Sequence, residues 1–172
     1  MSDPASTVES DERGRKTMQD KAPQQIETML RSHVEVALKE IWLREDLAVD
    51  DDGDWPFRAD TSACWVRVRP GAEPFVQVLA HAAYGVPKSA KLLTELNDIN
   101  RRAQWTNVFW ADGYVISEAN LHWRDVDREG LERLIGATCA MCDDIGPMLA
   151  AVFGGSTPLQ PASEPADDQD AA

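Results

Sequence analysis

Residues 63–82, ACWVRVRPGAEPFVQVLAHA, decide the fold class of this chain, because they contain two alternating segments joined by a turn. In segments 63–69 and 75–82, successive side chains alternate between two kinds, as expected of strands with one buried face. Pro70-Gly71 between them is a strong turn signal. A β-hairpin is therefore predicted, with one face formed by Cys64, Val66, Val68, Val76, Val78, Ala80 and Ala82.

A second hairpin is predicted around Asp112-Gly113. This dipeptide separates two β-rich segments, 105–110 and 114–123, and D-G in that setting is among the strongest hairpin signals. Residues 55–58 can supply one more short strand ahead of the first hairpin. Strands joined by tight turns pair in opposite directions, so the sheet is expected to be antiparallel.

Three helices are predicted from apolar residues that recur every three or four positions. The first spans 24–44, the second opens at Pro87, and the third is capped by Asp125 and ended by Gly154-Gly155. The predicted class is α+β, in the order α-β-β-β-α-β-β-α. All three helices are expected on one face of the sheet, covering Val66, Val68, Val76 and Val78. The buried stripe of the second helix is predicted to be Leu92, Leu93, Leu96, Ile99 and Ala103.

The 172 residues suit one domain, which is predicted to occupy residues 22–155. Residues 1–21 contain almost nothing to bury, and residues 156–172 hold three prolines and four acidic groups. Both ends are therefore expected to be disordered, the second as an acidic, proline-rich tail.

Charge and cysteine usage restrict the partners and the compartment. A net charge of −13 argues against nucleic acid, whose phosphates favour clustered Lys and Arg, and against an anionic membrane surface. The N-terminus has no apolar signal region, and no run approaches the ~18 apolar residues of a membrane span. Three cysteines without a signal peptide suit reduced thiols. We expect a cytoplasmic protein with a basic or apolar partner, although acidity also serves solubility alone.

Three motifs are typical of chemistry, but none is complete. The pair Cys139 and Cys142 forms a C-x-x-C in mid-helix, without the second ligand pair of a zinc site. Residues 50–54 resemble part of a calcium loop, but both anchor positions are alanine. The three histidines are scattered, with no nucleophile placed beside them. We expect structural thiols, with a redox or metal role as the alternative, and no catalytic residue, metal or cofactor.

Trp65 is the residue that indicates a binding surface. The strand period of two places Trp65 and Arg67 on the face opposite the valines, and Trp and Arg are enriched at binding hot spots. Cross-strand aromatic packing is the competing explanation. The predicted partner-binding residues are Trp65, Arg67, Arg69, Phe75 and Leu79.

Asn97 and Asn100 lie near the end of the second predicted helix. Asparagine is useful at such positions because its amide can bond backbone groups. A structural role is therefore expected for both, in preference to ligand binding.

Several short phrases resemble the YbjN-like family and its relatives with the type III secretion chaperone fold. They are WVRVR (65–69), GVP (85–87), LLTELNDIN (92–100), the Asp112-Gly113 hairpin and FGG (153–155). The resemblance spans residues 24–155 and implies the same element order, with 55–58 as first strand. It also implies a peptide-binding chaperone or regulator, usually a dimer among secretion chaperones, and actinobacterial members often have such tails.

Two functional hypotheses from different classes follow, with a third behind them. The first is a non-enzymatic, chaperone-like protein that holds an extended client segment on exposed strands or at a sheet edge. The alternative is a regulatory or structural subunit that binds a folded partner, and the third is a small enzyme. A pocket with His81 or His122 beside a buried carboxylate would favour the enzyme, whereas a flat aromatic face or groove would favour the chaperone.

Overall fold

The computed structural model describes residues 5–159, with side chains from residue 24 onward. The strands form one antiparallel sheet in the order β1-β2-β3-β5-β4. The predicted α+β class and element order are confirmed, with one 3-10 turn, Trp123–Asp125, added before the last helix. The elements are α1 (Ala5–Trp42), β1 (Trp55–Arg58), β2 (Ala63–Arg69), β3 (Phe75–Tyr84), α2 (Ala90–Arg102), β4 (Asn107–Ala111), β5 (Tyr114–His122) and α3 (Arg128–Phe153).

All three helices pack on one side of the sheet, which we call the inner face. Apolar residues of α1 and the first half of α3 contact Val66, Val68, Val76 and Val78, none more than 6% exposed. Residues of α2 and the second half of α3 complete the core against β3, β4 and β5. The predicted burial of the four valines beneath the helices is confirmed.

The opposite side of the sheet, which we call the outer face, is defined by register, because directly paired residues share a face. Among residues 24–159, no helix packs on it, since the core clusters contain only inner-face strand residues. The outer face includes Trp65, Arg67, Arg69, Phe75, Gln77, Leu79, His81, Phe109, Tyr114, Ile116 and Glu118.

Helices α2 and α3 begin later than predicted. Ser89, not Pro87, caps α2, and its Oγ accepts a hydrogen bond from the Leu92 N–H at 3.1 Å. Asp127, not Asp125, caps α3 and accepts from the Gly130 N–H at 2.7 Å. An N-cap needs a side-chain acceptor that reaches the free N–H groups of the first turn, and proline offers none.

The predicted buried stripe of α2 contains residues that are not buried in the structure. Leu92, Leu96 and Ile99 are buried, but Leu93 is 42% exposed. Adjacent residues lie about 100° apart around a helix, so Leu93 cannot share the narrow face that begins at Leu92. Ala103 is the half-buried C-cap residue.

Strand β3 extends beyond its predicted end and contains a bulge. His81 pairs with Ile116 and Ala83 with Val115, so Ala82 is an extra residue on the β3 side. Ala82 and Ala83 are consequently both fully buried, and the strict alternation expected for this segment stops at His81.

The ends of the chain differ from the predicted boundaries. Helix α1 begins at Ala5, ahead of its predicted start at residue 24. Ser156 exchanges two backbone hydrogen bonds with Tyr84, at 2.9 and 3.0 Å, and the Leu159 N–H donates to the Thr61 carbonyl at 3.0 Å. The chain thus remains attached to the sheet through residue 159. Residues 1–4 and 160–172 lie outside the described residues, so the expected disorder of those residues stays a prediction.

Helix α3 is long and apolar enough, by length and composition, to cross a membrane. In the fold, Leu131, Thr138, Cys142 and Leu149 of this helix are completely buried beneath the other elements. A core helix has the same length and composition as a membrane span, so this is weak support for a membrane location.

Candidate functional site

A row of three rings crosses the outer face. Trp65 of β2 packs on His81 of β3 with ring centroids 4.9 Å apart, and His81 packs on Tyr114 of β5 at 4.7 Å. Tyr114 is 40% exposed and Trp65 is half-buried. We call Trp65, His81 and Tyr114 the aromatic row. It gives the outer face an apolar strip that solvent reaches.

Leu79 does not have the exposure predicted for a partner-binding residue. It lies on the outer face, opposite Trp65 and Glu118, but only 8% of it is exposed. Ile116 on the same face is 9% exposed, and neither residue belongs to the helix-covered core. Both are therefore shielded from solvent, although they lie outside the helix-covered core. The expected exposure of Leu79 is wrong, because its side chain is buried within the outer face.

Charged groups beside the aromatic row are held by neighbours. Arg67 Nε lies 2.7 Å from Asp54 Oδ2, and Gln77 donates to Glu118 at 2.9 Å. Burial raises the pKa of Asp54, and the charge of Arg67 opposes that shift. Burial and the charge of Arg67 lower the pKa of His81, which favours a neutral ring. The Arg67 guanidinium predicted to contact a partner is thus already engaged within the chain.

Arg69 and Phe75 lie together at the end of the outer face next to the β2–β3 turn. They are paired in register, Arg69 exposed and Phe75 half-buried. His122 pairs with Phe75, and exposed Glu73 lies 3.0 Å from the His122 ring nitrogen. In the described part of the chain, neither His122 nor His81 bonds to a buried carboxylate, which was the arrangement that would favour an enzyme.

Sequence reasoning missed the part of the outer face that comes from β4 and β5. Tyr114 and Ile116 alternate with buried Val115 and Ser117, and Phe109 pairs with Ile116. The signal was present, because the Asp112-Gly113 turn fixes which residues of the second hairpin face each other. Only the order of the strands, which places β5 beside β3, joins these residues to Trp65 and His81.

Both edges of the sheet carry features that oppose pairing with another strand. The edge strand β1 has four residues, one of them Pro56, which has no N–H to donate. At the other edge, the Asn100 amide of α2 donates to the Val108 carbonyl and accepts from the Val108 N–H, both at 2.8 Å. Asn100 therefore bonds backbone groups of β4. Asn97 is exposed, and its side chain has no hydrogen bond to the described residues, so its structural role stays a prediction.

The three thiols, distant in sequence, come together beneath the inner face. Cys64 and Cys142 are buried in one cluster, and half-buried Cys139 packs against it. Asp143 beside them accepts hydrogen bonds from Thr61 and from Ser62, the latter at 3.0 Å. Among residues 24–159, no group of three or more His, Cys, Asp or Glu side chains has an arrangement that could hold a metal ion.

The acidic segment 50–54 folds as a turn. Asp50 Oδ1 accepts from the backbone N–H groups of Asp52 and Asp54, at 3.1 and 2.9 Å, and Gly53 has a positive φ of 82°. Arg31 of α1 donates to the Gly53 carbonyl. The carboxylates thus cap a turn, and Asp54 holds Arg67.

Comparison with known proteins gives a family and a fold. No curated protein matches the chain. One similar solved structure, described as the crystal structure of the ExsC–ExsE complex, superimposes with a TM-score of 0.55 and 13% identity. The match covers 71% of this chain and 93% of the other, and at that identity it supports the shared fold alone. Residues 28–161 match the profile of the family described as T3SS (YopN, CesT) and YbjN peptide-binding chaperone 1. The match spans most of the sequence, so the chain belongs to this family of peptide-binding chaperones, TY-Chap1.

Proposed function

We propose that this chaperone binds an extended segment of a client polypeptide across the outer face of its sheet, with the aromatic row as the main contact. The observation that carries this proposal is the row itself. Trp65, His81 and Tyr114 lie ring against ring on a sheet face that no described helix covers. Accessible apolar strips of this kind mark partner surfaces, and aromatic residues dominate their energetics.

The structure of the two sheet edges favours client binding through side chains of the outer face over the addition of a client strand at an edge. Addition of a client strand requires free main-chain donors and acceptors along an edge. Pro56 removes one donor from β1, and Asn100 occupies both backbone groups of Val108 on β4. The face offers instead a Trp, a Tyr and the exposed ring of Phe109, onto which apolar side chains of a client can pack.

The charge of the chain restricts the client further. A net charge of −13 raises the encounter rate with basic segments and disfavours acidic ones. Arg67 is neutralised by Asp54, so it offers little attraction for an acidic client. We infer a client segment with alternating apolar side chains and basic flanks.

The test begins with a displayed library of random peptides of about 12–15 residues. Binders selected on the full chain are then titrated against purified wild type and against Trp65→Ala. We expect Trp65→Ala to weaken binding by about 30-fold, equivalent to about 2 kcal/mol, at little cost in stability. Met148→Ala is the control, because Met148 is 40% exposed on α3, a helix that covers the inner face.

Two results would contradict this placement of the client. One is a folded Trp65→Ala variant that binds the selected peptides as wild type does. The other is a variant that unfolds, with binding unchanged in the fraction that remains folded, since this would make Trp65 a core residue.

We also propose that the chain is a cytoplasmic homodimer that catalyses no reaction. The dimer is supported by large side chains left exposed on α2 and between α2 and β4: Leu93 at 42% and Trp105 at 65%. Sedimentation velocity should give twice the chain mass, and Trp105→Asp should shift the protein toward the single-chain mass while its circular dichroism is retained. A single-chain mass for wild type at micromolar concentration would exclude a stable dimer.

A further inference from the structure

The three cysteines of the chain meet at one place, where β2 passes beneath α3. Cys64 on β2 is 1% exposed, Cys142 on α3 is fully buried, and Cys139 is half-buried at the border of the same cluster. Cys139 packs against the cluster that contains Cys64, although 75 positions, 139 minus 64, separate the two in the sequence, and each of these thiols shifts the pKa of the other. This juxtaposition is independent of the outer face and of client binding.

We propose that Cys64 and Cys139 are a peroxide-sensitive dithiol, which hydrogen peroxide or an organic hydroperoxide converts into a disulfide linking β2 to α3. The two sulfurs have different environments. Cys139 is the thiol that solvent reaches, whereas Cys64 lies behind it in the core. A solvent-accessible thiol with a second thiol in the same side-chain cluster is the arrangement of redox-sensing pairs.

The environments of Cys64 and Cys139 also favour different protonation states for the two thiols. The neighbouring Cys64 thiol lowers the pKa of Cys139, against the opposing effects of burial and of Asp143. The neighbouring Cys139 thiol and burial raise the pKa of Cys64. Because the thiolate is the nucleophile toward peroxide, Cys139 is the sulfur expected to react first.

The reaction balances with one equivalent of peroxide. The Cys139 sulfur attacks one peroxide oxygen, the O–O bond breaks, and Cys139 becomes a sulfenic acid as the first water or alcohol leaves. The Cys64 sulfur then attacks the Cys139 sulfur, an S–S bond forms and the S–O bond breaks. The Cys64 proton leaves with the hydroxyl as a second water. The two thiols are oxidised and the peroxide is reduced.

Cys142 is the alternative partner of Cys139, and its contacts disfavour it. Its thiol lies 3.7 Å from the Ala80 carbonyl of β3, and burial raises its pKa to about 12. It also lies one turn after Cys139 in the middle of continuous α3, where a bond between the two sulfurs would distort the helix. Cys142 is therefore expected to remain a thiol.

The experiment uses the full chain, reduced, desalted and treated with a small excess of hydrogen peroxide. Remaining thiols are then alkylated, and the protein is digested without reduction. We expect the intact chain to lose about 2 Da before alkylation, and the digest to contain a cross-link between the peptide that contains Cys64 and the peptide that contains Cys139 and Cys142. Fragmentation between positions 139 and 142 assigns the linked sulfur.

Matched variants separate the two possible partners. Cys142→Ser should still form the cross-link, and Cys139→Ser should form none. The disulfide closes a loop of about 75 residues, so oxidised wild type should melt at least ~5 °C higher and return to its original value with dithiothreitol. Three free thiols after peroxide, a bond within 139–142, a bond between two chains, or Cys139 oxidised to sulfinic acid without a cross-link would each overturn the proposal.

Discussion

Gly146 of α3 lies directly against Ala82 of β3: a Cβ atom at position 146 would come 2.5 Å from the Ala82 carbonyl oxygen. Ala82 is the extra residue of the β3 bulge, and Gly146 is fully surrounded in the core. The bulge and the glycine together allow α3 to pack closely on the sheet. A larger residue at either position would separate the two layers.

Gly146→Ala should therefore destabilise the protein, even though alanine is the better helix former. The new methyl group meets backbone, which cannot rotate away, so we expect a loss of about 2 kcal/mol or more in the free energy of unfolding. Urea denaturation followed by circular dichroism measures it. Gly136→Ala is the control on the same helix, because a Cβ there meets nothing within 4 Å, and it should stabilise by about 0.5–1 kcal/mol. Equal effects at both sites would show that the close approach is unimportant.

Asn100→Ala should destabilise the sheet edge. The change leaves the N–H and carbonyl of Val108 without their partner, and Val108 is 2% exposed, so we expect a loss of about 2 kcal/mol. Asn97→Ala, in the same helix but exposed and without a side-chain hydrogen bond to the described residues, should change stability by less than about 0.5 kcal/mol. Faster amide hydrogen exchange at Val108 in the Asn100→Ala variant alone would locate the effect.

His81 should give the stability a pH dependence of known sign. Burial and the charge of Arg67 lower its pKa below the ordinary value of 6.5. Between the lowered pKa and pH 6.5, the unfolded chain binds more protons than the folded chain. The stability contributed by the neutral His81 ring is therefore complete above pH 6.5, and it is lost as the pH falls toward the pKa in the folded chain. Acidification should thus cost wild type more stability than His81→Phe. An NMR titration should find the pKa of His81 depressed and raised again in Arg67→Gln, and an unshifted ring would refute this.

The thiols should differ in their rates of reaction with iodoacetamide in the native state. Cys139 is half-buried, whereas Cys64 and Cys142 are buried and their pKa values are raised, that of Cys142 to about 12. Cys139 should therefore be alkylated first, by about 100-fold or more over the other two. Time-resolved mass spectrometry of the intact protein and its peptides gives the three rates. Comparable rates at Cys142 and Cys139 would show that α3 opens readily.

Most of the fold follows from local patterns in the sequence. The alternation of 63–69 and the Asp112-Gly113 turn are local signals, and they predict the strands that form. The helix starts were displaced to Ser89 and Asp127 because capping depends on which side chain can reach the first turn. The β3 bulge at Ala82 could not be predicted, since it depends on the fit of α3 against the sheet.

About half of the candidate site could be predicted from the sequence. The strand period correctly separates Trp65 from the valine face, but it cannot say that Leu79 is buried or that Tyr114 completes a row of rings. Those two facts depend on the lateral order of strands, which places β5 next to β3. The same limit applies to the thiols, because nothing local connects Cys64 with Cys139.

The protection of both sheet edges has a consequence for the aggregation of this protein at high concentration. An antiparallel sheet with open edges is a template for the addition of further strands, and repeated addition leads to fibres. The proline in β1 and the Asn100 amide on Val108 interrupt that growth at opposite ends of the sheet. Association with other chains is thereby directed to the outer face, where the number of contacts is limited. It is disfavoured at the sheet edges, where strand addition could continue without limit.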